Sequence, residues 1–180
     1  GYERCPEAVR RRLVLEHDDV RFSAADVLWI HERTGVRCIF DHQHFWCLNP
    51  ERLPLRDTLE RILATWPAGV RPKIHFSSPR TEFREVAAGK ATKARDSAKG
   101  PAKKPPTSSS APPEEPVWRR PSWTNHADFV NPFEFATFMR LADGLTFDVM
   151  LEAKAKDAAL LRLREDLARY APDVSTRFDG

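Results

Sequence analysis

Four short β-rich apolar runs alternate with four amphipathic stretches along this chain, and no other feature of the sequence limits its fold so tightly. The first run, Leu13 to Glu16, leads to a helical pattern over Ala24–Thr34 that Ser23 can cap and Gly35 can end. Arg37 to Asp41 is the second run. After a polar loop, Leu55, Leu59, Ile62, Leu63 and Trp66 recur at a helical period until Pro67 and Gly69 break it. Pro72 to Phe76 is the third run. Asn131 and Pro132 then open a helix reaching toward Gly144, Phe147 to Glu152 is the fourth run, and a closing helix starts at Asp157 and covers Ala158–Tyr170. Repeated βα units imply a parallel sheet with right-handed crossovers, either doubly wound or rolled into a TIM-type (β/α) barrel. No glycine-rich phosphate loop follows any run, which disfavours a doubly wound nucleotide-binding domain. A closed barrel takes eight units in about 250 residues. This chain carries four units in 180 residues, so the expected architecture is α/β, half of a barrel.

Between the third and fourth runs the composition changes. From Arg84 to Arg120 nine Lys or Arg stand against four Asp or Glu, a net of +5, leaving −2 for the remainder of a chain whose total is +3. Ala, Lys, Pro and Ser dominate there and large apolar side chains are nearly missing, so burial cannot offset the entropy of ordering. The expectation is a disordered basic loop from Val86 to Pro116. It divides the chain into barrel units at 1–84, an insert at 85–120 and the remaining units at 121–180. Its lysines can hold a phosphate backbone without sequence preference, or the segment is only a solvated spacer.

With 41% hydrophobic and 31% charged residues, the rest can bury one core. No apolar run approaches the roughly 18 residues of a membrane span, and GYERCPEAVRRR lacks the apolar centre of a signal peptide. A cytoplasmic protein of bacterial type is expected. Cys5, Cys38 and Cys47 are odd in number and form no CxxC pair, which points to reduced, packed thiols. The first residue is Gly1 rather than Met, so further chain upstream is expected.

The chemistry collects at the ends of the runs. Glu16 closes the first, Asp41 the second with His44 three residues on, His75 the third and Glu152 the fourth. In a (β/α) barrel the C-terminal strand ends form the active face, so these five side chains should aim at one place. A carboxylate ending an apolar strand costs several kcal/mol unless it is partnered, and a bound cation removes that cost. Mixed carboxylate and imidazole ligands suit zinc, manganese or iron, whereas magnesium and calcium prefer oxygen alone. His31, mid-helix on a polar face, is read as a surface residue. His17 and His42 each lie one residue from a ligand position, and their roles stay open.

The segments LVLEHDD, FDHQH, RPKIHFSSPR, NHADF and DVMLEAKAKD, in this order and with these intervening helices, resemble the C-terminal half of the ultraviolet damage endonucleases. That resemblance implies a barrel of the endonuclease IV and xylose isomerase type, with the runs here serving from the fifth strand onward. It implies an enzyme that nicks damaged double-stranded DNA immediately 5′ of ultraviolet photoproducts, cyclobutane dimers and 6-4 products. Two or three divalent ions, commonly manganese, would serve the complete enzyme. Metal ligands are implied at Glu16, Asp41, His44, His75, His126 and Glu152, and of these His126 comes from the resemblance alone. Three departures stand out. His17 replaces the family's Asn beside Glu16, the connection from SSPR to HADF is far longer than usual, and the N-terminal half-barrel, which brings further His ligands and the side chains that probe the lesion, is missing.

Lys73 lies two residues before His75 and so shares its face of the strand, aiming an ammonium at the cluster. It either reaches past the metals to a phosphate or is neutralised, and the resemblance implies carboxylation to a carbamate ligand. Lys73 and Glu152 are thus the catalytic candidates. Arg80, Lys154 and Lys156 are candidates for DNA phosphate contacts, the two lysines competing with a plain reading as the solvated start of a helix. An apurinic endonuclease or sugar isomerase of the same barrel class would use the same ligands, although FSSPR and LEAKAKD favour the damage endonuclease. A non-catalytic half-barrel remnant with weak metal or DNA binding is the reading of a different class.

Overall fold

In the computed structural model, which describes residues 1–86 and 117–178, the four runs are strands of one parallel sheet. They are β1 (Val14–Glu16), β2 (Arg37–Asp41), β3 (Lys73–Phe76) and, after β4 (Arg84–Val86) and β5 (Val117–Arg119), β6 (Asp148–Leu151). The sheet order is β1-β2-β3-β6, and every neighbouring pair is parallel. The register sets Asp41 beside His75 and His75 beside Met150, one residue before the end of β6. The chain divides into two compact units, Gly1–Arg80 with Trp123–Gly180, and Thr81–Ser122.

Helix α1 (Glu7–Arg10) lies before β1, helices α2 (Ala24–Thr34), α3 (His42–Cys47), α4 (Leu55–Leu63) and α5 (Pro132–Leu141) lie in the crossovers, and α6 (Asp157–Tyr170) and α7 (Pro172–Ser175) come after β6. Parallel strands covered on both faces turn apolar, as β2 does, whereas β3 alternates between buried Ile74 and Phe76 on one face and exposed Lys73 and half-buried His75 on the other. Cys38, Ile39, Phe40, Ile74 and Phe76 are all buried. The outer strands are half-open, with Met150 of β6 exposed and each residue of β1 only partly covered. Among the described residues β1 and β6 each have one neighbour, so the sheet is open and no closed barrel forms among them. No helix among the described residues is long and apolar enough to cross a membrane.

Helix α2 begins and ends as its sequence demands. Ser23 and Asp26 form a reciprocal capping box, and Gly35 takes the left-handed conformation (φ 68°) that closes it. Ser23 is also buried and donates to Glu51 Oε1 at 3.0 Å. Replacing Ser23 by Ala should therefore lower unfolding stability by about 1–2 kcal/mol. An unchanged urea midpoint would show that the box contributes nothing.

Three sequence expectations need correction. The polar loop after Asp41 contains α3, because the Asp41 carboxylate accepts from the backbone N–H of His44 and caps a short helix. Helix α4 stops at Leu63 rather than Trp66. Thr65 Oγ1 accepts from the Cys38 backbone N–H (2.9 Å) and the Trp66 indole donates to the Cys38 carbonyl (2.7 Å), which draws the chain out of the helix and onto β2. The insert is not unstructured at its edges either, since Arg84–Val86 and Val117–Arg119 pair antiparallel with Val86 opposite Val117. The rest of the expected loop, residues 87–116, lies outside the described residues.

Candidate metal centre

All six ligand candidates meet at the C-terminal ends of the parallel strands. Glu16 Oε1 lies 3.1 Å from His75 Nδ1 and 3.3 Å from His44 Nδ1. His75 Nδ1 is 3.3 Å from Glu152 Oε1, whose other oxygen is 3.5 Å from His126 Nδ1. Asp41 Oδ1 is 3.9 Å from His44 Nδ1, and the His44 and His126 rings are 6.3 Å apart. Ligand atoms from Glu16, Asp41 and His75 all fall within 4.8 Å of one another. Strand direction produces the convergence of five of the six, because Glu16, Asp41, His44, His75 and Glu152 lie at or just beyond the C-terminal ends of strands pointing the same way.

Backbone contacts deliver His126, which no strand carries. Arg80 N–H donates to the Asn125 carbonyl (2.7 Å), Ala127 N–H to Ser78 (2.8 Å), and Lys154 N–H to Ala127 (3.0 Å). The segment at His126 is thereby clamped between the chain leaving β3 and the chain leaving β6. Glu152 itself is set by its N–H bond to the Phe76 carbonyl (3.0 Å).

Imidazole orientation is fixed by neighbours. His44 Nδ1 donates to the His17 carbonyl (2.9 Å) and His126 Nδ1 to the Glu152 carbonyl (2.8 Å). With Nδ1 as donor, Nε2 of each ring is left as a lone-pair ligand, the arrangement metal-binding histidines use. His17, left open by sequence, is fully buried and accepts the Asp41 backbone N–H at Nε2 (3.1 Å). It therefore braces two ligands, Asp41 through its ring and His44 through its carbonyl. Burial holds its own pKa down to about 4, so it stays neutral.

The charges do not balance well without a cation. Asp41 is 0% exposed, burial raises its pKa, and Oδ2 has no hydrogen-bond partner among the described residues. Burial also pushes Glu16 up, but hydrogen bonds and positive charge from His44 and His75 outweigh it and hold the carboxyl at about 2. The same carboxylates overcome the burial of His44 and raise it to about 9, and the hydrogen bond to Glu16 raises His75. Protons on two rings thus occupy the electrostatic role a metal would take, and metal and protons compete for such sites. Three carboxylates, three imidazoles and one orphaned buried oxygen fit a divalent transition ion.

The remaining candidates divide. Lys73 is exposed on the face of β3 that carries His75. Lys154 and Lys156 are exposed, and Lys156 holds a left-handed backbone (φ 53°) as it opens α6. Arg80, expected as a phosphate contact, is instead 7% exposed. Its guanidinium donates to Asp128 (2.6 Å) and to the His126 carbonyl (3.3 Å), which makes it a support for the His126 segment.

A family model described as UV-endonuclease UvdE matches residues 1–176, nearly the whole chain. The chain belongs to the UV-endonuclease UvdE family. It is similar to the UV DNA damage endonuclease of Bacillus velezensis, at 29% identity over 91% of this chain and 40% of that protein. The corresponding protein of Bacillus pumilus is 31% identical over the same shares. The crystal structure of SacUVDE superposes with a TM-score of 0.60 at 29% identity, covering 93% of this chain and 43% of that one. The chain therefore spans about 40% of the length of the curated relatives it matches.

Proposed function

We propose that this chain forms the C-terminal half of a TIM-type barrel in a divalent-metal-dependent DNA-repair endonuclease that nicks 5′ of ultraviolet photoproducts. The observation that carries the reading is the convergence of Glu16, Asp41, His44, His75, His126 and Glu152 in a chain of this family. A match to about 40% of the relatives' length supports a further half-barrel that pairs with the open edges of β1 and β6.

When bound, divalent ions, manganese by preference and two or three in the complete enzyme, would supply a hydroxide near neutral pH and neutralise charge on the scissile phosphate. The chain's own groups define where that chemistry happens. Glu16, Asp41 and Glu152 set the negative charge of the site, and His44 and His126 present Nε2 with their rings locked by backbone carbonyls. Lys73, Lys154 and Lys156 would meet phosphate oxygens, with Lys73 open to carboxylation as a further ligand.

Manganese titration followed by electron paramagnetic resonance tests this reading. The parent chain should take up manganese, and the Glu16→Gln variant should bind it about tenfold or more weakly, as lost ligand charge and lost orientation of two rings predict. A parent chain that leaves the signal of free manganese unchanged would refute the metal centre.

A further inference from the structure

Helix α3 has a second working face. Its residues His42, Gln43, Trp46 and Cys47 line a cleft of about 440 Å³ together with Trp123 and Glu134. Two indoles stand at this cleft in the open, Trp46 at 71% and Trp123 at 74% exposure. Leaving an indole in water forgoes a few kcal/mol of burial each.

Both tryptophans are tied to buried polar groups, Trp46 through its indole and Trp123 through its backbone. The Trp46 indole N–H donates to His42 Nε2 at 3.0 Å. His42 is 4% exposed and stacks on Phe76 at 4.4 Å, and its Nδ1 is buried with no partner among the described residues. Such a defect costs about 1–3 kcal/mol, and anchoring Trp46 is the one polar contact the ring makes in return. The Trp123 carbonyl accepts from the Gln43 amide at 2.6 Å, and Gln43 is held in turn by the Ser77 hydroxyl at 2.6 Å. Buried polar groups thus hold the Trp46 indole and the Trp123 backbone beside a carboxyl, Glu134, which Ser78 holds at 2.5 Å. Flat apolar walls with a polar edge to read suit a flat π-system with a hydrogen-bonding rim.

On this basis we infer that the Trp46–Trp123 cleft is a stacking subsite for an unpaired nucleobase of the strand whose phosphate lies at the ion cluster. The inference rests on the endonuclease reading above. Placement supports it, because cleft and cluster share α3, a helix of six residues only about 9 Å long. A base in the cleft and a phosphate at the cluster would then belong to neighbouring nucleotides. Base–aromatic stacking contributes about 1–3 kcal/mol per base and does not depend on sequence.

The test uses the 180-residue chain and two labelled single strands of about eight nucleotides, one all-thymidine and one with the same backbone but abasic throughout, followed by fluorescence anisotropy. The thymidine strand should bind more tightly than the abasic one. Trp46→Ala and Trp123→Ala should each weaken thymidine-strand binding by about 5- to 100-fold and leave abasic-strand binding unchanged. The Trp→Phe variants should retain most of the affinity. Equal affinity of the parent chain for both strands, or an equal loss for both in the Ala variants, would overturn the subsite while leaving the endonuclease reading intact. Binding of neither strand would overturn both.

Discussion

Replacing Glu152 by Gln, in this chain completed by the remaining length its relatives have, is expected to abolish incision of ultraviolet-irradiated DNA. Gln preserves shape but removes the charge that His75 and His126 face at 3.3 and 3.5 Å. A metal site stabilises the reacting phosphate by several kcal/mol, and each 1.36 kcal/mol is tenfold in rate. The incision rate with manganese should therefore fall by at least about 10³-fold. A nicking assay on irradiated plasmid reads this directly, and a Gln variant that nicks at the parent rate would remove Glu152 from the centre. The isolated 180-residue chain should show no lesion-specific nicking, because among the described residues two edges of the parallel sheet stay unpartnered.

The second large effect concerns the core. Phe76 is fully buried where β3 meets its helices, packing against His42, Phe135 and Phe138 at ring distances of 4.4, 4.9 and 5.4 Å. Phe76→Ala removes the ring and leaves a cavity that this crowded aromatic cluster cannot readily close. The expected loss is about 3–5 kcal/mol, against a total stability of about 5–15 kcal/mol for a domain. Urea denaturation followed by far-ultraviolet circular dichroism measures it. A loss under about 1 kcal/mol would mean that the cluster repacks freely.

The parallel order was readable because apolar strands and amphipathic helices carry different periods, and because the residues that matter sit where a period ends. Glu16, Asp41, His75 and Glu152 interrupt apolar runs, so their shared direction follows from topology alone. His126 has no such signature. It is delivered by loop–loop hydrogen bonds from Arg80, Ala127 and Lys154, and only the resemblance to a family singled it out. The Asp41 carboxylate hid α3 by serving two purposes, since a residue read as a ligand was not also read as a helix cap. The structural role of Arg80 was hidden for a related reason. A charged side chain in a polar motif suggests solvent or phosphate, while its partner Asp128 lies forty-eight residues away.

The cross-bracing of the imidazoles makes metal uptake a gauge of strand register. His44, beyond β2, is held by the carbonyl of His17, beyond β1, and His126 is held by the carbonyl of Glu152, beyond β6. Slipping one strand by a single residue would turn its side chains to the opposite face while preserving most helices. Protein refolded from inclusion bodies could then show a normal helical spectrum and still fail to load manganese. The loaded fraction, rather than the spectrum, would count the correctly registered molecules.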